Sequence, residues 1–310
     1  MSGLSWLAAL RKFRKGRRQV LAMNQRNLGF IYPSNARRDF PIADDKLQTK
    51  QLFVPEGVPV PETYESYSSF YEMRQLESDL MKHHEFVIKP AQGSGGGGIV
   101  VIGEKTEEGW LSVSGKKYTI EDLRRHIADI IFGVYSFGLG DSAIIEARID
   151  QHDALNELSP FGLTDVRIIL YQHKPVLSML RVPTKDSDGK ANLHQGALGV
   201  GIDIETGQGT HATHFGEPIT AHPDTNVGLL GLSLPFWDEI LEISDKAAKC
   251  VPLKYLGIDL AIASGGPVVL EINVRPGIEI QNANMQGMLA PLLRIKASMH
   301  HDDVTTGVAR

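Results

Sequence analysis

The sequence predicts an α+β protein whose lobes are built on antiparallel sheets. Strand-like runs follow one another at 143–149, 164–171, 175–182 and 198–204, so helices do not alternate regularly with strands as in a βαβ fold. Two more runs, 256–263 and 267–273, are separated only by the turn Ser264-Gly265-Gly266, which reads as a hairpin. Helical patterns are confined to a few blocks between these runs.

Taken in order, residues 1–20 read as an amphipathic basic helix. Trp6, Leu7, Leu10, Phe13 and Arg14 recur at helical spacing, and an Arg/Lys cluster spans 11–18. Such a helix either docks one face on the body of the protein or meets an acidic partner or an anionic membrane surface. A helix is predicted over 43–56, with Asp44 or Asp45 able to cap its first turn. The Pro-rich segment 57–63 ends it. Another helix is predicted over 66–82. A short apolar strand, Phe86 to Lys89, then leads into a glycine-rich turn at 93–98, and a second strand returns over Ile99 to Ile102. A further helix is predicted over 234–250, and a polar, mobile tail over 300–310.

Composition excludes several classes. The 310 residues are 42% hydrophobic, enough for a substantial core in one large domain or two to three lobes. A formal net charge of −5 argues against a whole-surface nucleic-acid binder. The single cysteine, Cys250, excludes an intramolecular disulfide framework and a cysteine-rich zinc site. No apolar run approaches the roughly 18 residues needed to span a bilayer. The N-terminus places apolar residues before its charges, the reverse of a secretory signal, so a cytoplasmic protein is expected. Oligomeric state is left open, a homo-oligomer included.

Three segments carry chemistry. In the first, Lys89-Pro90-Ala91-Gln92 runs into Gly93-Ser94-Gly95-Gly96-Gly97-Gly98. Glycines allow positive φ and close approach of backbone N–H groups to an anion, and a neighbouring lysine adds positive charge. The lysine precedes the glycines and a strand follows them, so this is neither a Walker A loop nor a dinucleotide fingerprint. The plain alternative is a surface hairpin tip. The second segment is Asp259, followed by Glu271 and Asn273 on the other arm of the hairpin. Residues 271 and 273 share a strand face. Oxygen ligands without Cys or His suit magnesium, and the apolar neighbours place these acids within a core-like sheet, where a carboxylate needs a partner or a metal. The third is Asp165-Val166-Arg167, with Arg181 and the run Asn192-Leu193-His194-Gln195-Gly196. Cationic and amide groups beside metal ligands fit phosphoryl transfer. His194 reads either as catalytic or, more blandly, as a satisfied structural histidine.

Together these segments resemble the ATP-grasp superfamily, and within it the RimK-like alpha-L-glutamate ligases and glutamate-ligase-related proteins. The resemblance spans roughly residues 43–290. It rests on Asp45-Lys46-Leu47 with Thr49-Lys50, Gly57-Val58-Pro59-Val60-Pro61, Lys89-Pro90 with its glycine loop, Asp165-Val166-Arg167, Asn192 to Gly196, Gly257-Ile258-Asp259, and Glu271-Ile272-Asn273 with Pro276-Gly277. It implies an ATP-grasp fold in which two α+β lobes grip ATP, with a shortened N-terminal region. The implied divisions are a basic helix and abbreviated lobe at 1–42, a central or lid lobe at 43–142, a catalytic lobe at 143–299 and the tail at 300–310.

The resemblance also implies roles. Lys46 and Lys89 contact the α- and β-phosphates, and the loop with Gly93, Ser94, Gly95, Gly96 and Gly97 closes over them. The hinge strand Ile145 to Ile149 lines the adenine, with Glu146 or the backbone near Arg148 reading its edge. Asp165 sits near the nucleotide, and Lys190 and Asn192 near the phosphates. Asp259, Glu271 and Asn273 hold magnesium, with manganese the alternative ion. Arg167, Arg181 and Arg275 clamp carboxylate or phosphate. Ala147 departs from the family, which commonly has an acidic residue there. The expected reaction is ATP-dependent, ADP-forming amide synthesis through an acyl phosphate, joining an amino acid such as glutamate to a peptide, a protein terminus or a small amine. The alternatives are a nucleotide-binding module without ligase activity that partners a peptide, and a small-molecule kinase that stops at phosphoryl transfer.

Overall fold

The computed structural model describes residues 19–93 and 95–305. The basic helix expected at 1–20 falls almost wholly outside them, and Ser94 and residues 306–310 fall outside them altogether. The chain forms two compact units. The smaller comprises Pro41–Asp150 with Val268–Leu270; the larger comprises Met1–Phe40, Gln151–Pro267 and Glu271–Arg310.

The smaller unit starts within a short helix over Phe40–Asp44, and α1 (Lys46–Phe53) follows, capped by Asp45: its carboxylate accepts from the backbone N–H of Leu47 at 2.9 Å and of Gln48 at 3.2 Å. Six strands follow: β1 (Thr63–Tyr67), β2 (Phe86–Pro90), β3 (Val100–Thr106), β4 (Gly109–Ser112), β5 (Lys117–Tyr118) and, after the helix α2 (Ile120–Ile131), β6 (Ala143–Glu146). They form one antiparallel sheet in the order β1-β6-β2-β3-β4-β5. Phe86, Ile88, Ile102 and Trp110 of the sheet pack with Leu123, Ile127 and Ile130 of α2.

The helix predicted over 66–82 is a correction. The chain is a strand through Tyr67, then a 3-10 turn (Glu72–Gln75) and a short helix (Leu76–Leu80). Thr-Tyr-Glu-Ser-Tyr has the side chains that favour strands, and β1 gains a distant partner, with Tyr67 opposite Ala143 and Ser66 opposite Ile144. Local periodicity does not contain that partner. The helix α2 was not read from the sequence, although Thr119 and Asp122 form a capping box at its start.

The larger unit is a seven-stranded antiparallel sheet. Its strands are β7 (Asp165–Tyr171), β8 (Lys174–Val182), β9 (Leu198–Ile202), β10 (Gly209–His214), β11 (Glu217–Ile219), β12 (Tyr255–Ala263) and β13 (Gly266–Asn273). The order is β11-β10-β9-β8-β7-β12-β13, so β12 and β13 are neighbours, as the short turn predicts. All of β12 but its last residue is buried, so both faces of the sheet are covered there. The helix α3 (Trp237–Lys249) packs on β12. A last helix, α4 (Leu289–Thr305), runs into the region expected to be a tail. Among the described residues, no helix is long and apolar enough to cross a membrane.

Candidate active site

In the smaller unit the chemistry gathers where α1 meets the glycine loop. The backbone N–H of Lys46 donates to Ala91 O at 3.0 Å, setting the start of α1 against the loop. Lys46 and Lys50 lie one turn apart on one helix face. The Lys46 Nζ donates to Gly93 O at 2.9 Å. Lys50 turns inward and donates to Glu146 Oε2 at 2.6 Å, Thr63 Oγ1 at 2.8 Å and Pro61 O at 2.9 Å. Lys89 takes the other oxygen of Glu146. Burial pushes the Lys50 ammonium below its ordinary value, and Glu146 works against that shift. Two lysines therefore share the Glu146 carboxylate, and Lys46 reaches a carbonyl of the loop itself.

The loop is fixed at both feet. The Gln92 N–H donates to the buried Asp141 carboxylate at 3.0 and 3.2 Å. At the far foot, Gly98 O lies 2.8 Å from His126 Nε2. Gly98 has φ +76°, and a Cβ there would meet the Tyr135 ring at 2.7 Å, so both conformation and space require glycine. Gly95 and Gly96 are also left-handed. Beside Gly98 lies a cavity of about 400 Å³ lined by Tyr118, His126 and Tyr135 among others.

The expected hinge residues separate. The Glu146 carboxylate is engaged by Lys50 and Lys89, so Glu146 balances lysines. Arg148 is half-exposed and donates to Glu85 at 2.6 Å. Lys50 had no role in the sequence reading; its position one helical turn after Lys46 was the available signal.

In the larger unit, strand register assembles the second group. Arg167 on β7 sits opposite Asp259 on β12, and Asp165 opposite Arg181 on β8. Residues 165 and 167 share a face, so all four side chains meet. Arg167 grips Asp259 with its fork, Nε to Oδ1 at 2.7 Å and Nη2 to Oδ2 at 2.6 Å. Arg181 bridges the two acids, Nη2 to Asp259 Oδ2 at 2.8 Å and Nε to Asp165 Oδ1 at 2.5 Å. Asn273 Nδ2 lies 3.2 Å from Asp259 Oδ2 and 3.4 Å from Glu271 Oε1.

Titration follows from this packing. Burial alone would raise Asp259, but Arg167 and Arg181 outweigh it and hold the carboxyl well below its usual range. Asp165 goes the other way: burial raises it, Arg181 opposes, the Asp259 charge adds to the rise, and it settles at about 6.

A divalent cation fits the residues present. Asp259 is paired with both guanidiniums, and Glu271 lies within reach of the Asn273 amide. Glu271 and Asn273 are half-buried oxygen donors at the end of β13, the hard ligands magnesium takes. A cation there needs the Asn273 amide to turn its oxygen inward, and it shares Asp259 with two arginines. Among the described residues, no group of three or more His, Cys, Asp or Glu forms a metal site, and this set is two carboxylates and an amide.

The remaining expected residues lie on loops. Lys190 is exposed. Asn192 caps a 3-10 turn by accepting from the His194 N–H at 3.0 Å. His194 is exposed, with Nε2 3.4 Å from Glu279 Oε1. Arg275 is exposed, its guanidinium 5.8 Å from the Phe40 ring centre.

A family model described as sugar-transfer associated ATP-grasp matches residues 25–297, and the chain belongs to that ATP-grasp family. It is 23% identical over 235 residues to a probable alpha-L-glutamate ligase of Maridesulfovibrio salexigens, covering 76% of this chain and 56% of that one. A protein of the same description from Halorhodospira halophila is 25% identical over 251 residues, with 80% and 61% covered. The chain thus spans about three-fifths of the length of these relatives. Among solved structures, D-alanine–D-alanine ligase from Bacillus anthracis aligns with a TM-score of 0.44 at 14% identity, covering 83% of this chain and 69% of that one.

Proposed function

We propose that this chain is an ATP- and magnesium-dependent carboxylate–amine ligase that releases ADP. The observation that carries the reading is the gathering of Asp259, Glu271 and Asn273, hard oxygen donors brought within a few ångströms of one another beside two arginines in the larger unit. Such a cluster suits a cation that accompanies a nucleotide phosphate. The smaller unit's three lysines beside a glycine loop suit the phosphates themselves.

In this reading Lys46 and Lys89 bind the α- and β-phosphates, and Gly93 to Gly97 offer backbone N–H groups. Glu271, Asn273 and Asp259 hold the metal, which supplies neutralisation of phosphate charge. Asp165, Lys190 and Asn192 belong to the nucleotide side. Arg167 and Arg181 keep Asp259 ionised, and Arg275 is the exposed fork available to a substrate anion. The acid takes the γ-phosphoryl group as an acyl phosphate and releases ADP. The amine then attacks the carbonyl and inorganic phosphate leaves. The names of the relatives favour an amino acid such as glutamate as one substrate, with a peptide, a protein terminus or a small amine as the other.

Glu271→Gln is expected to abolish ADP release while leaving the thermal melt within a few degrees of the parent; full turnover in that variant refutes the metal assignment. AMP and pyrophosphate as products would refute the reaction. A second reading, a nucleotide-binding module without ligation, is favoured by the saturation of Asp259 by two arginines. Hydroxamate formed from an acid, ATP and hydroxylamine separates the two.

A further inference from the structure

The segment before α1 is fastened to the larger unit at two points. The Gln281 side chain accepts from the Leu21 N–H at 2.8 Å and donates to Leu21 O at 3.1 Å. The Asn35 side chain donates to Tyr255 O at 2.7 Å and accepts from the N–H groups of Lys254 and Tyr255 at 2.8 and 3.0 Å. Between these fastenings, Arg26 is driven inward and is 5% exposed. Its Nη1 donates to Pro276 O, which sets the guanidinium against the backbone that carries Arg275. Its Nε and Nη2 donate to Asn27 Oδ1 at 3.1 and 3.0 Å. Three of five guanidinium N–H groups are thereby used.

Among the described residues, neither Arg26 nor Arg275 has a carboxylate within ion-pair distance. Glu279, whose charge reaches Arg26, lies instead 3.4 Å from His194. The Tyr255 hydroxyl is fully buried and has no hydrogen-bond partner, in the residue whose backbone Asn35 fastens; burial pushes it up, and the Arg26 charge works against that rise. A buried cation without a counter-ion and an orphaned phenol are two unmet demands, and an exposed cation stands beside them. Both guanidiniums can only donate and the phenol is able to, so an anion suits all three groups.

We propose that Arg26, Arg275 and the Tyr255 hydroxyl form a carboxylate-binding site that takes the non-reacting carboxylate of an amino-acid substrate. The claim that the anion belongs to a substrate rests on the ligase reading above; the existence of the site does not. Arg275, exposed, meets the carboxylate first. Arg26 and Tyr255 supply the inner donors, and the Asn27 and Pro276 contacts hold the Arg26 fork in place.

Calorimetric titration of the full chain, with ADP and magnesium present, tests the site without turnover. The probes are L-glutamate, its α,γ-diamide and inorganic phosphate. Glutamate is expected to bind at least tenfold tighter than the diamide. Arg275→Gln and Arg26→Gln are each expected to weaken glutamate at least tenfold. Arg275 is exposed, so its variant remains informative should Arg26→Gln fail to fold. Glutamate binding no better than the diamide, or equally well in a folded variant, overturns the proposal. Phosphate binding tighter than glutamate overturns the carboxylate assignment. ADP release is scored separately. Turnover that is indifferent to the α-carboxylate sinks this site alone, and tight glutamate binding without ADP release from any acid sinks the ligase reading alone.

Discussion

Glu146→Gln is the sharpest test of the lysine cluster. The parent carboxylate neutralises two ammoniums, with the Lys50 and Glu146 side chains only 10% and 5% exposed. The amide keeps the shape but removes the charge and one acceptor. Removing one partner of a buried ion pair costs about 3–5 kcal/mol, because the other charge stays buried. Lys50 retains Pro61 O and Thr63 Oγ1, which draws the expected loss toward the lower end, about 3 kcal/mol. That is a large share of a typical domain stability of about 5–15 kcal/mol. The chain has three tryptophans, and Trp110 lies in the smaller unit's core. In a background with Trp6 and Trp237 replaced by Phe, Trp110 fluorescence in a urea titration therefore reports on that unit. Adding Lys50→Met to Glu146→Gln should recover part of the loss, which closes a double-mutant cycle. A loss below about 1 kcal/mol for Glu146→Gln would mean that solvent already screens the cluster, as it does surface pairs, and would refute the argument from burial.

Other expectations follow from single contacts. Gly98→Ala forces a side chain into a left-handed position and against the Tyr135 ring; a loss of about 2–4 kcal/mol is expected in the same titration, from backbone strain and overpacking together. Burial holds His126 below its ordinary 6.5. The unfolded imidazole therefore protonates first as the pH falls. Stability from this group is complete above pH 6.5 and is lost below it, down to the folded value. His126→Gln should flatten the fall in melting temperature between pH 7.5 and 5, and an unchanged slope would assign the fall to other groups. Asn35→Ala removes three hydrogen bonds to the backbone of Lys254 and Tyr255; about 2–4 kcal/mol is expected, together with faster amide exchange at Leu21 to Ser34 by mass spectrometry.

Much of the architecture was legible because the decisive signals are local. The hairpin at Ser264-Gly265-Gly266, the cap at Asp45 and the buried runs of β7, β8 and β12 follow from turn chemistry, capping and apolar continuity, which act within a few residues. The end of β1, Ser66 and Tyr67, falls inside the helix predicted over 66–82 because the strand's identity comes from β6, about eighty positions away in the chain. The site divides in the same way. Residue types alone marked Lys89, Asp165, Arg167, Arg181, Asp259, Glu271 and Asn273 as the groups that do chemistry, and the family resemblance added Lys46. Only the tertiary structure decided which charge meets which. Register put Asp259 under Arg167 and Arg181, the face of α1 put Lys50 against Glu146, and the fastening of the N-terminal segment put Arg26 against Pro276. The reason is that ion pairing depends on distances of a few ångströms between residues tens to hundreds of positions apart, and the sequence sets those distances only through the packed fold.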